Sequence, residues 1–183
     1  MTTILFTHRK ENNMKRILMI ATLVLTMLAM SGSPASVMAS DNFVAALSGG
    51  NEVPQRDTNA TGVATFKLSK DGTELSYRLI VANIENVIAA HIHMGKAGVN
   101  APVVAFLYGT APNGGGRMDG VLAEGTIVAA NLVGPLAGHP FSDLIDAIES
   151  GNAYVNVHTN DGVGSTNTGP GDFPGGEIRG QVR

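Results

Sequence analysis

The sequence predicts an all-β fold, a Greek-key sandwich or flattened barrel of about eight strands with one short helix. Three observations carry that expectation. Of the 23 glycines and 8 prolines, all but Gly32 and Pro34 follow Ala39, clustered between short apolar segments. Several of those segments alternate apolar and polar residues with a period of two, as half-buried strands do. Only one stretch after Ala39 carries a helical period.

The elements follow in order. Phe43 to Leu47 is a first strand, ended by Ser48-Gly49-Gly50, and Gly62 to Leu68 is a second. Asp71-Gly72 predicts a hairpin turn of the primed type. In the third strand, Leu75 to Ile84, the residues Leu75, Tyr77, Leu79 and Val81 alternate against Ser76 and Arg78. Val87 to His93 is a fourth, closed by Gly95, and Val103 to Tyr108 a fifth. Past Gly114-Gly115-Gly116, residues Val121 to Val133 read as a sixth, interrupted strand. Pro140 to Ser150 places Leu144, Ile145, Ala147 and Ile148 at helical spacing, with Gly151 as the stop. Ala153 to Thr159 is a seventh strand, and a long Gly/Asn/Pro loop, Asn160 to Gly176, leads to the last, Glu177 to Arg183.

The start of the chain reads differently. Lys15-Arg16 precedes an uncharged apolar run from Ile17 to Met30, then Ser31-Gly32-Ser33-Pro34 and the small-residue pattern Val37-Met38-Ala39. That order is a secretory signal over residues 1–39, cut after Ala39, with Met14 as an alternative start. The apolar run is shorter than the roughly 20 residues a membrane helix needs. A single domain over residues 40–183 is expected, secreted or periplasmic, with no transmembrane segment in the mature chain. Loss of the signal takes away Arg9, Lys10, Glu11, Lys15 and Arg16, which moves the formal net charge from −3 to −6. Nothing in that balance makes a basic patch, so nucleic acid is not an expected partner. The absence of cysteine removes disulfides and thiolate metal sites alike.

Histidine is scarce, and its placement is informative. After the signal the chain holds His91, His93, His139 and His158. In the fourth strand Ile88, Ala90 and Ile92 share one face, while Ala89, His91 and His93 share the other. In the seventh, Ala153, Val155 and Val157 oppose Tyr154, Asn156 and His158. Both alternations put His91, His93 and His158 outside the core. If the two strands are neighbours, three imidazoles converge, a donor set suited to copper or zinc. Tyr154, Asn156, Glu177 and Arg179 are then the candidates to orient the rings. Glu177, Arg179 and Gln181 alternate against Ile178, Gly180 and Val182, which predicts a solvated face on an edge strand. His139 is expected at the surface. No catalytic set emerges: Asn160-Asp161-Gly162 lacks the carboxylates of a calcium loop. Ser142-Asp143 lacks a nucleophile elbow. Gly114-Gly115-Gly116-Arg117 lacks the ending of a phosphate loop.

Four motifs in order resemble the CHRD domain, the module named for chordin. They are Phe43-Val44-Ala45-Ala46-Leu47-Ser48-Gly49 with Glu52-Val53-Pro54, and Ala90-His91-Ile92-His93-Met94-Gly95. Gly151-Asn152-Ala153-Tyr154-Val155-Asn156-Val157-His158-Thr159 and Pro174-Gly175-Gly176-Glu177-Ile178-Arg179-Gly180-Gln181 complete the set. The resemblance spans about Asn42 to Val182 and implies an immunoglobulin-like β-barrel in an extracytoplasmic setting. A fainter likeness is to copper/zinc superoxide dismutase, whose first copper pair looks like His91-Ile92-His93 and whose late copper ligand looks like His158. That family's bridging histidine, guiding arginine and disulfide have no counterpart here. Two functions are therefore expected to compete. One is an exported binding or structural module with a protein or envelope ligand. The other is a copper-binding protein with a three-histidine site, open to redox chemistry, for which superoxide dismutation is the one enzymatic candidate.

Overall fold

A computed structural model describes residues 41–165 and 167–183. The signal segment expected over residues 1–39 lies outside them. Eight strands form one antiparallel sheet: β1 (Asn42–Ser48), β2 (Thr61–Leu68), β3 (Glu74–Glu85), β4 (Val87–Met94), β5 (Val103–Tyr108), β6 (Arg117–Val128), β7 (Ala153–Thr159) and β8 (Ile178–Gln181). Among the described residues one α-helix, α1 (Ser142–Glu149), precedes β7. The spatial order is β5-β4-β7-β8-β1-β2-β3-β6. The all-β architecture with one helix is the one the glycine punctuation and the alternations predict.

The sheet curls until its two outer strands, β5 and β6, approach each other. Tyr77 helps bridge the gap. Its ring covers Gly125 on β6, and its hydroxyl donates to the Leu107 carbonyl on β5 at 2.7 Å. The interior is apolar. Phe43, Ala45 and Leu47 enter it from β1, Ala90 and Ile92 from β4, and Ala153, Val155 and Val157 from β7. Along α1, Leu144, Ile145, Ala147 and Ile148 are buried, as the 3.6-residue period requires. Gly151 ends the helix with φ of +70°, a conformation that favours glycine.

Four sequence expectations change. The β2–β3 hairpin is not a two-residue primed turn. Lys70–Thr73 form a longer loop in which Gly72 alone has positive φ, while Asp71 and Ser69 side chains bond the Thr73 amide. β6 begins at Arg117, before the expected Val121, and two short 3-10 turns follow it. In β3 the alternation shifts between Val81 and Ile84, where Asn83 has φ of +56°, so Ile84 enters the core on the opposite parity. The largest change concerns β8. It is not an edge strand but lies between β7 and β1. Glu177 and Arg179, expected on a solvated face, are 0% and 1% exposed. Their face of the sheet is covered by loops from three other parts of the chain.

β8 lies against β1 at very close range. A Cβ built on Gly180 would stand 2.4 Å from the Ala46 carbonyl oxygen. Gly180→Ala is expected to push the two strands apart and to cost about 3 kcal/mol, since backbone cannot yield as a flexible side chain can. Chemical denaturation of the two proteins measures that loss.

Candidate metal centre

β4 and β7 are hydrogen-bonded neighbours, which meets the condition the histidine pattern set. In register, His91 faces Asn156, His93 faces Tyr154, and Ala89 faces His158. His158 is thus the diagonal neighbour of His91, within imidazole reach. One nitrogen from each of His91, His93 and His158 lies within 4.8 Å of the other two. His91 Nδ1 is 3.1 Å from His158 Nε2. Metal–nitrogen bonds of about 2.0–2.1 Å hold such nitrogens about 3.4 Å apart; one pair is already at bonding separation and the whole set lies within 4.8 Å. His139 takes no part; it pairs with Asp143 on the exposed side of α1 at 2.9 Å.

The tautomers are set by backbone carbonyls. His93 Nδ1 donates to the Ala101 carbonyl at 2.8 Å, and His158 Nδ1 donates to the Pro174 carbonyl at 2.9 Å. Each ring then turns the lone pair of Nε2 toward the cluster. His93 Nε2 is buried and has no hydrogen-bond partner among the described residues. An unsatisfied buried nitrogen costs about 1–3 kcal/mol, and a metal ion is a species that such a lone pair would satisfy. The His158 lone pair instead accepts from His91 Nδ1. Burial, reinforced by His158 and His93, pushes the His91 imidazole down to about 4. Burial also lowers His93, against the Ala101 hydrogen bond and with help from His158 and Arg179. His158 is lowered by burial, partly offset by the Pro174 bond. The rings are therefore neutral at pH 7, the form that ligates metals.

Tyr154, Asn156, Glu177 and Arg179 stand one step further out. Tyr154 stacks on His93 at 4.7 Å with planes 4° apart, and its hydroxyl accepts from the Ala101 amide at 3.0 Å. Arg179 lies 3.4 Å over the Tyr154 ring. It donates to the carbonyls of Lys96 and Val99, both at 2.9 Å, and to Asn100 Oδ1 at 3.3 Å. That loop carries Ala101, so Arg179 holds the segment that orients His93. Glu177 does the same for His158. Its carboxylate accepts from Thr58 and Thr159 hydroxyls at 2.6 Å and from the Gly171 amide at 2.9 Å. Thr159 in turn accepts from the Phe173 amide, one residue before Pro174. Asn156 packs beside Gly176, and its Oδ1 is buried without a partner.

Two residues here had no signal as site residues in the sequence alone. Phe106, 54% exposed, sets its edge against His91 at 5.0 Å and forms an apolar flank of the cluster. Glu52 is 4% exposed, and its Oε1 also lacks a partner. Burial pushes its carboxyl up to about 7, against Arg179, Arg56 and the Val53 amide, with Glu177 adding to the rise. Glu52 lies in a loop, which has no strand parity, and Phe106 lies on β5, whose place beside β4 alternation does not reveal.

The eight-stranded barrel and its loop-covered imidazole cluster define a β domain with one short helix and a polar, histidine-bearing sheet face. The chain belongs to the CHRD family: the family model for the CHRD domain matches residues 43–182. CHRD domains occur in extracellular or periplasmic proteins. No curated protein matches the chain. Among the described residues no helix is long and apolar enough to cross a membrane.

The buried titratable groups contribute pH dependences of opposite sign over overlapping windows between about pH 4 and 7. The imidazoles are depressed in the fold, so their stability is present above about 6.5 and is lost as pH falls toward the folded value, about 4 for His91. Glu52 is raised, so its contribution is present below about 4.5 and is lost as pH rises through about 7. Three depressed imidazoles outweigh one raised carboxyl below about 6.5, so these groups together make the metal-free domain most stable near pH 6.5. Glu52→Gln should remove a loss of about 2 kcal/mol between pH 5.5 and pH 8.5, measured by chemical denaturation at both. An unchanged difference between the two pH values in that variant counts against the assignment.

Proposed function

We propose that this protein is an exported metal-binding module in which His91, His93 and His158 hold a copper or zinc ion. The observation that carries the reading is the convergence of three neutral imidazoles with the buried, unpartnered Nε2 of His93 among them. Three nitrogen donors leave a coordination position free, as in sites where a metal exchanges a ligand. The protein supplies orientation through Ala101 and Pro174, and partial exclusion of water through Tyr154 and Phe106. A bound copper ion would add redox capacity, so superoxide dismutation is the enzymatic activity to assay. Export rests on the basic, apolar and small-residue order of residues 1–39, and N-terminal sequencing of the secreted protein checks the cut after Ala39.

A second reading, a binding module acting through its surface, has its own observation. Val63, Ile80 and Val121 are directly opposed across β2, β3 and β6, and all three are exposed. Such a row suits a protein or envelope ligand. Calorimetric titration of the mature, metal-free domain with copper and with zinc separates the readings. One-to-one binding that vanishes in His91→Ala/His93→Ala/His158→Ala is the expected result, with circular dichroism confirming that the variant folds. Equal heats from the two folded proteins would remove the metal reading and leave the surface one.

A further inference from the structure

Three neutral imidazoles serve zinc and copper in either oxidation state, so the donors by themselves do not choose an ion. The surrounding charge can. The cluster includes no carboxylate, so the metal's own charge would stay uncompensated by its ligands. Behind His93 stands a fixed cation. Arg179 is 1% exposed, its guanidinium is pressed on Tyr154, and Tyr154 is stacked on His93. The acceptors around that guanidinium are two carbonyls and an amide oxygen, all uncharged. Among the described residues no carboxylate reaches ion-pair distance of it. Two acids are buried in this layer: Glu177, whose carboxylate is held by the Thr58 and Thr159 hydroxyls and the Gly171 amide, and Glu52, on which Arg179, Arg56 and Glu177 bear. With its carboxyl pushed up to about 7, Glu52 is only partly ionised at neutral pH and compensates Arg179 incompletely. The guanidinium is close to the site: it lies 3.4 Å over the Tyr154 ring, which is itself stacked 4.7 Å from the His93 ring.

We propose that the buried Arg179 charge makes this centre selective for monovalent copper(I) over divalent zinc and copper(II). The inference rests on the reading of the imidazole cluster as a metal centre. Repulsion from a fixed cation is proportional to the ion's charge, so the factor lost by a divalent ion is about the square of that lost by a monovalent one. Tyr154 supplies the spacer that lets a guanidinium lie close to the site while donating nothing to it. Arg179 thereby has two separable effects: its hydrogen bonds hold the 96–100 loop, and its charge biases the ion.

Affinities for copper(I), kept reduced with ascorbate under anaerobic conditions, and for zinc are measured by chelator competition. The proteins are wild type, Arg179→Gln and Arg179→Lys. Arg179→Gln is expected to raise zinc affinity about tenfold and copper(I) affinity about threefold, while Arg179→Lys keeps the wild-type ratio. A glutamine and a lysine variant that shift both ions by one common factor would overturn the proposal and leave Arg179 as a loop clamp only. Glu52→Gln keeps the result decisive if Arg179→Gln does not fold. At pH 8.5, where it removes a negative charge facing Arg179, it should move the ratio further toward copper(I), and at pH 5.5 it should not. An unchanged ratio at pH 8.5 overturns the proposal. Failure of wild type to bind either ion is a different outcome, since it removes the metal centre itself.

Discussion

Two side chains of opposite charge, two residues apart at the start of β8, hold the polar face of this domain together. Glu177 gathers Thr58, Thr159 and the Gly171 amide, while Arg179 gathers Lys96, Val99 and Asn100. Burying a charge costs several kcal/mol unless hydrogen bonds replace its water. Here the replacements for Arg179, and Thr58 for Glu177, come from loops distant in sequence, while Gly171 belongs to the loop that leads into β8, so satisfying each charge also fixes a loop. Each fixed loop then offers one carbonyl to one imidazole, Ala101 to His93 and Pro174 to His158. The orientation of the cluster is therefore a consequence of how β8 is desolvated.

The two faces of β4 and β7 do different work. Ala90, Ile92, Val155 and Val157 are fully buried in the apolar interior, which anchors the strands without any help from the histidines. The opposite face is also sheltered, but by polar loops instead of a second apolar layer. That arrangement lets the imidazoles stay neutral and partly dehydrated while belonging to no hydrophobic core. Unsatisfied acceptors accumulate in the same layer, at Glu52 Oε1 and Asn156 Oδ1 beside Gly176. Native folds retain few such atoms. Their concentration next to the cluster, together with the orphaned His93 nitrogen, marks this face as the place where packing has yielded to another requirement.

Glycine makes the close approaches possible. At Gly180 the β1 backbone occupies the space of a side chain. At Gly176, with φ of +123°, Asn156 and Glu52 fill it. These two residues flank Glu177 and Arg179 and bring the loop layer down onto β8. The Gly175-Gly176-Glu177 and Arg179-Gly180 sequences are thus packing devices for the polar layer as much as turn signals.

Much of the architecture was legible in residue order. The alternations in Phe43 to Leu47 and Ala153 to Thr159 identified faces correctly because a strand's period of two is local and survives any tertiary arrangement. The same rule put His91, His93 and His158 on one side of their strands, and the helix from Ser142 announced itself by spacing and by Gly151. What alternation could not supply was the identity of the neighbour beyond each face. It read Glu177 and Arg179 as solvated, because a polar face without partners is solvated and their partners lie about 80 or more residues away in sequence for Arg179 and over 100 away for Thr58 and Glu177. It gave Glu52 no role at the site because a loop has no period, and Phe106 none because a single aromatic on β5 does not say which strand lies beside it. The sequence by itself determined which side chains share a face; only the tertiary structure decided which faces are covered, by which loops, and hence where charge is buried and where imidazoles meet.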